Sequence, residues 1–334
     1  MLDNLYEWVA SRPSLETLQG TRLELEPLGG DAGFRRYFRV QNSRRSLLAV
    51  ISPPETEKNR EFVTISSLLR RNGLLAPEVL DADFERGFLL VEDVGSQQLL
   101  GLLTPETVDR YYHQAFRDLL SMQRINRRET GLPCYSSSLL KQEMALFPEW
   151  FVGKLLGLEL ETDELKLIED LFGVLSVSAE SQPQVFVHRD FHSRNLMVNE
   201  GARLGIIDFQ DAVNGPLTYD LVSLLRDCYV YWPDQSVEKW LEEFYQSSLQ
   251  QGYINPGSKQ EFVRWFDLMG LQRHIKVLGI FARLSLRDQK HGYLDDLPLV
   301  IHYVKTVAAK YPELFAGFTA FFDSRLMPVI ASKD

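Results

Sequence analysis

Cysteine is nearly absent: Cys134 and Cys228 are the only two in 334 residues. Two thiols cannot build a disulfide framework, so a reducing compartment, the cytoplasm, is the expected location. No run of about 18 apolar residues is found, and no membrane-spanning helix is expected. Residues 1–8 carry Asp3 and Glu7 and lack a basic cluster, which is not the pattern of a secretory leader. Basic residues are outnumbered, 36 Lys and Arg against 46 Asp and Glu, for a net charge of −10. That balance argues against a nucleic-acid partner, whose phosphates want a basic surface. Internal repeats and long low-complexity linkers are missing, and nothing points to a protein partner. What is present, 45% hydrophobic and 25% charged residues, suits a globular protein large enough for two lobes.

The organisation changes near residue 95. Before it, residues 23–28, 34–40, 47–51 and 87–91 read as strands, with a turn signal at 29–33 and a helical pattern at 62–69. After it, helices dominate. Thr104-Pro105 is a start signal for a helix carrying Val108, Tyr111, Tyr112, Ala115, Phe116, Leu119 and Leu120. Further helices are expected over 163–175, 236–249, 258–286 and 295–311. Ser258 and Glu261 form a capping box for the long one, and Gly270 and Gly279 weigh against its straightness. A strand at 185–187 and a hairpin, 196–198 with 204–207, lie between them. The expected fold class is α+β. A small antiparallel-sheet N-lobe takes residues 1–95, and a larger, mainly helical C-lobe takes 96–334.

The strongest chemical signal is His188-Arg189-Asp190-Phe191-His192-Ser193-Arg194-Asn195, followed by Ile207-Asp208-Phe209. Phosphoryl transfer needs a carboxylate to orient an acceptor hydroxyl and take its proton, and oxygen ligands for Mg2+. Asp190 fits the first need. Asn195 and Asp208 fit the second, because the short hairpin returns Asp208 beside Asn195. On residue types alone, His188, Asp190 and His192 could instead bind zinc, but that reading uses neither Asn195 nor Asp208.

This stretch resembles the catalytic loop and metal aspartate of the protein-kinase-like superfamily, in particular the aminoglycoside and choline phosphotransferase branch, where a His stands two positions after the catalytic Asp, as His192 does. The resemblance implies a two-lobe kinase fold, ATP and Mg2+ as cofactors, and a bracing role for His188. It places the phosphate-covering loop at Gly29, Gly30, Asp31, Ala32, Gly33, Phe34 and Arg35, although Gly-Gly-Asp is also an ordinary hairpin turn. Adenine is expected at Glu92 and Val94, read by one C=O and one N–H. The chain departs from the pattern in its third strand. Leu47-Leu48-Ala49-Val50-Ile51 lacks the phosphate lysine, so Arg35, Arg36 or Lys58 substitutes, or metal and backbone suffice. Arg35 and Arg36 should face opposite sides. Glu61 is the expected helix partner.

Motifs from residue 29 to residue 283 further resemble the bacterial anomeric kinases of N-acetylmuramate and N-acetylglucosamine, which serve cell-wall sugar recycling. Among them are Gln210-Asp211-Ala212, Tyr219-Asp220-Leu221 and Leu271-Gln272-Arg273-His274. The implied reaction makes a sugar α-1-phosphate from ATP. Other acceptors of the same fold, an aminoglycoside, a choline-like alcohol or another sugar, stay open, as does a nucleotide-binding regulator without turnover. The candidate sugar contacts are His192, Gln210, Asp211, Arg273, Glu143 and Trp150. Lys276 is read as lying on a solvated helix face, and Asp220 as a brace of the catalytic loop.

Overall fold

The computed structural model describes residues 2–15, 22–29, 33–199 and 201–332. Its strands are β1 (Glu24–Pro27), β2 (Arg36–Gln41), β3 (Leu47–Ile51), β4 (Val79–Asp83), β5 (Phe88–Glu92), β6 (Gln97–Gln98), β7 (Gln184–Val187), β8 (Leu196–Val198), β9 (Leu204–Ile206) and β10 (Val213–Pro216). The chain forms two compact units. One comprises Met1–Thr130 with Ser193–Ala212, the other Gly131–His192 with Val213–Asp334.

The first unit is built on an antiparallel sheet of order β1-β2-β3-β5-β4. The central strands β3 and β5 are buried almost throughout, which is why their sequences run apolar without alternation. Strands were expected over most of residues 1–95, yet the chain opens with a helix, Leu2–Ala10. Its Leu5, Trp8 and Val9 recur at helical spacing and join the sheet core with Phe38, Val40, Leu47, Ala49 and Phe88. Helix Asn59–Arg71 buries Phe62, Ile65, Leu68 and Leu69. The turn into β5 requires glycine: Gly87 has φ +67°, and an added Cβ would stand 2.2 Å from the Ser52 carbonyl oxygen.

A second sheet in this unit, β6-β8-β9, explains why residues 193–212 join it although they lie far along the chain. Gln97 pairs with Val198, and Leu75 bridges Gly205. The sequence boundary at 95 marks the change from strands to helices, whereas the compact units follow this long-range pairing. Helix Val108–Gln123 begins three residues after Thr104-Pro105. The Thr104 hydroxyl is engaged by Glu106 at 2.7 Å, and Thr107 turns its hydroxyl onto the Leu102 carbonyl.

The second unit pairs β7 with β10 and surrounds them with helices Ser137–Met144, Thr162–Ser181, Tyr219–Leu225, Asp234–Gln250, Lys259–Asp288, Leu297–Lys310 and Pro312–Phe321. Helix Lys259–Asp288 runs unbroken through both glycines. Gly279 serves close packing: a Cβ there would lie 2.3 Å from the Leu146 carbonyl carbon, beside the π-helical stretch Phe147–Leu155. The expected capping box at its start is not formed, because the Ser258 hydroxyl donates to the Asn255 carbonyl at 2.6 Å instead. One helical stretch, Pro312–Ala331, is long and apolar enough on average to cross a membrane despite its interrupting charges. Phe315, Phe318, Phe321, Phe322 and Leu326 within it are buried inside the unit.

Candidate active site

In the first unit the β8–β9 hairpin does what its sequence suggests. Leu196 pairs with Ile206, and the Ile207 N–H donates to the Asn195 carbonyl at 3.1 Å. This register sets Asn195 beside Asp208, with Asn195 Nδ2 donating to Asp208 Oδ2 at 3.3 Å. Asp208 has φ +63°, a backbone region that non-glycine residues enter at some cost and that often marks functional turns. Gln210 Nε2 donates to its other oxygen at 2.8 Å. One carboxylate and one amide oxygen suit a hard cation such as Mg2+, which keeps water and phosphate oxygens for its other positions. Among the described residues no three His, Cys, Asp or Glu side chains gather as a metal site, so His188, Asp190 and His192 do not form a zinc centre.

Gly30, Asp31 and Ala32 of the expected phosphate loop lie outside the described residues. Gly29 and Gly33 are exposed, and Phe34 is 67% exposed. Arg35 and Arg36 diverge as strand alternation requires: Arg35 is buried and Arg36 exposed. Arg35 Nε lies 3.0 Å from Ser52 Oγ and 3.2 Å from Glu57 Oε2, and its guanidinium sits over the Phe62 ring. The ion-pair partner is therefore Glu57 and not the exposed Glu61. Lys58 pairs with Asp211 at 2.6 Å on the surface. At the expected adenine edge, the Glu92 N–H donates to the Glu78 carbonyl and its carboxylate binds Arg70 at 2.6 Å. Val94 is buried.

In the second unit, β7 runs into the expected catalytic loop, residues 188–192. Asp220, at the start of helix Tyr219–Leu225, accepts the N–H groups of His188 at 2.7 Å and Arg189 at 2.9 Å. These bonds hold Arg189 at φ +79°. Burial pushes the Asp220 carboxyl up to about 7 against the pull of the two N–H donors. His188 braces the loop from within: its Nδ1 accepts the Asp190 N–H at 3.3 Å and its ring meets Phe191 edge-on. His192 donates its N–H to the Asp190 carbonyl at 3.0 Å and sets its ring edge-on to Tyr229.

Burial alone would raise the Asp190 carboxyl, but the cations around it win. Lys276 foremost, then His192, Arg189 and Arg273, hold it down to about 2. Glu143 gathers two of these cations, accepting from Arg189 and lying 3.3 Å from Lys276 Nζ, and it also accepts from Tyr135 Oη. Lys276 donates to Tyr219 Oη at 3.2 Å. Arg273 is buried and donates to Cys228 Sγ at 3.1 Å. The solvated face expected for Lys276 does not exist, because helix Lys259–Asp288 is enclosed on every side along residues 265–279. His274 is a structural residue: it stacks on Tyr303, contacts the Arg226 carbonyl at 2.9 Å, and burial lowers it to about 3.

Among the proposed sugar contacts, Glu143, Arg273 and His192 thus share the surroundings of Asp190 in one unit. Gln210 and Asp211 belong to the other, next to Asp208 and Lys58. Trp150 carries Lys154 Nζ 3.4 Å from its ring centre. Sequence reasoning missed Arg189, Lys276, Tyr135 and Tyr219. Arg189 stood inside the motif. Tyr219 stood in the Tyr219-Asp220-Leu221 motif without a role assigned to it, and Tyr135 gave no local signal.

The family model described as "Phosphotransferase enzyme family" matches residues 24–258. The chain belongs to the phosphotransferase enzyme family. It is 42% identical over 291 residues to an N-acetylmuramate/N-acetylglucosamine kinase of Pseudomonas aeruginosa, covering 87% of this chain and 86% of that protein. It is 37% identical to the protein of the same name from Neisseria meningitidis, covering 90% of each. This phosphotransferase also shares its fold with the ADP-bound crystal structure of aminoglycoside phosphotransferase APH(2'')-Ib, at TM-score 0.60, 14% identity, 91% of this chain and 98% of that one. The fold is thus protein-kinase-like, as the catalytic-loop motif implied.

Proposed function

We propose that this phosphotransferase is an ATP-dependent kinase for the anomeric hydroxyl of N-acetylmuramate and N-acetylglucosamine, working in the recycling of cell-wall sugars. The observation that carries the acceptor reading is the group of cations around Asp190, buried Lys276 and Arg273 with half-buried Arg189. A positive corner suits the lactyl carboxylate of N-acetylmuramate and repels a polycationic aminoglycoside or a choline-like alcohol. The names of the relatives agree with it.

Asp190 orients the anomeric hydroxyl and accepts its proton as the sugar oxygen bonds to the γ-phosphorus and the bond to the β-phosphate oxygen breaks, releasing ADP. A carboxylate held near 2 is a weak base. The loose transition state of phosphoryl transfer and the acidity of an anomeric hydroxyl ask for positioning more than for basicity. Asn195 and Asp208 would hold Mg2+, which when bound neutralises charge on the phosphate oxygens. Glu92 would offer adenine its carbonyl, since its N–H already serves Glu78, and Val94 its N–H. Gly29 to Gly33, with Phe34, would cover the phosphates.

Purified protein given Mg·ATP and either sugar should form the sugar 1-phosphate, read by phosphorus NMR. Asp190→Asn should lose turnover by about 1,000-fold or more while keeping nucleotide affinity. Wild-type protein that leaves both sugars unphosphorylated sinks the proposal.

A further inference from the structure

We propose that Arg35, clamped by Glu57, is the cation that receives the nucleotide phosphates in place of the lysine missing from β3; this rests on the kinase reading above. In the β2–β3 register Arg36 lies opposite Ile51 and Tyr37 opposite Val50, so Arg35 stands just past the place where that lysine is expected. Its side chain points inward and is 8% exposed. The surroundings hold it at several points, the neighbouring Tyr37 side chain among them. Nε binds Ser52 Oγ at 3.0 Å, the same nitrogen lies 3.2 Å from Glu57 Oε2, and the guanidinium carbon is 4.9 Å from the Phe62 ring centre. Phe62 stacks on Phe209 at 5.0 Å, and Phe209 directly follows Asp208. One chain of contacts therefore links this cation to the metal aspartate within a single compact unit. Glu57 also accepts the Phe34 N–H at 3.2 Å, which ties the end of the phosphate loop to the same carboxylate.

Arg35 Nη2 is the group that calls for a ligand. It is buried and meets no hydrogen-bond acceptor among the described residues. A guanidinium offers five donors in a planar fork, and leaving one buried and unmet is costly. A phosphate oxygen is the acceptor that this fork matches best. The rival cations are placed for other tasks: Lys58 binds Asp211 at the surface, and Arg36 is exposed.

The test measures Mg·ADP binding by calorimetry and steady-state kinetics for ATP and sugar separately, in Arg35→Ala, Arg35→Lys and Glu57→Gln of the full chain. Arg35→Ala should weaken nucleotide binding and raise the ATP KM by about 10- to 100-fold, leaving the sugar KM within about twofold. Arg35→Lys should recover to within about fivefold of wild type, and Glu57→Gln should fall between. If Arg35→Ala does not fold, the other two decide. Variants that melt earlier yet bind nucleotide with wild-type affinity assign Arg35 a purely structural role and overturn the proposal. The calorimetric arm needs no sugar, so it reads Arg35 even if the acceptor assignment fails.

Discussion

Asp190 keeps its charge because Lys276, Arg189 and Arg273 outweigh the cost of burying it. A carboxyl lowered in the folded state adds stability at pH above its ordinary range, and that stability disappears as the pH falls from about 4 toward 2. Its ionisation should not limit activity anywhere above about pH 4. Replacing Lys276 with Met removes the largest stabilising charge, so the Asp190 carboxyl rises and the acid limb of kcat/KM moves to higher pH. A pH–rate profile of Lys276→Met that superimposes on wild type, in a variant with an unchanged melt, would show that Lys276 does not control this carboxylate. At this scale the candidate residues Asp190, Asn195 and Asp208 could be named from the sequence, because they follow one another at fixed spacing. Lys276 and Tyr135 could not, and Glu143 was only a candidate sugar contact, because each reaches the surroundings of Asp190 from a different helix or loop, and no local pattern records that meeting.

At the scale of elements, patterns of apolar residues predicted the long helices but not the shorter Leu2–Ala10, Ser137–Met144, Tyr219–Leu225 and Pro312–Phe321, and end signals were weaker guides. Thr104-Pro105 announced a helix that starts later, and Ser258 turned its hydroxyl to Asn255 instead of capping. A hydroxyl near a helix start has several local acceptors, and the final backbone angles choose among them. The two glycines of helix Lys259–Asp288 show the same limit. Gly279→Val should destabilise the fold by about 3 kcal/mol or more, since the intruding methyls meet the Leu146 backbone, which cannot yield. Gly270→Ala should change stability by less than about 1 kcal/mol, because its nearest neighbour is the movable end of Arg226 at 3.3 Å. Thermal melts of the two variants compare them directly. Equal melts would mean that the close approach at Gly279 is not a packing constraint.

The whole molecule offers a measurement in which metal and nucleotide are read together. Ligand binding to the folded state stabilises it by about 2.7 kcal/mol at a hundredfold excess over Kd. Mg·ATP should therefore raise the melting temperature of the wild type and of Asp190→Asn alike. Chelating the metal, or the substitution Asp208→Ala, should shrink that rise. A full rise in Asp208→Ala would remove this aspartate from the nucleotide site.

By itself the sequence determined the family and the fold class, and it supplied the candidates for the catalytic loop and the metal pair, because these are written in contiguous motifs whose spacing is set by one loop and one hairpin. The tertiary structure alone decided that residues 193–212 pair with β6 and join the sheet-bearing unit, that Glu57 and not Glu61 takes Arg35, and that Lys276 is buried. Side chains three residues apart on a helix, such as Arg273 and Lys276, read as solvent-facing or enclosed only once neighbours are known. Burial is a property of the packing around a residue, and no stretch of chain carries it alone.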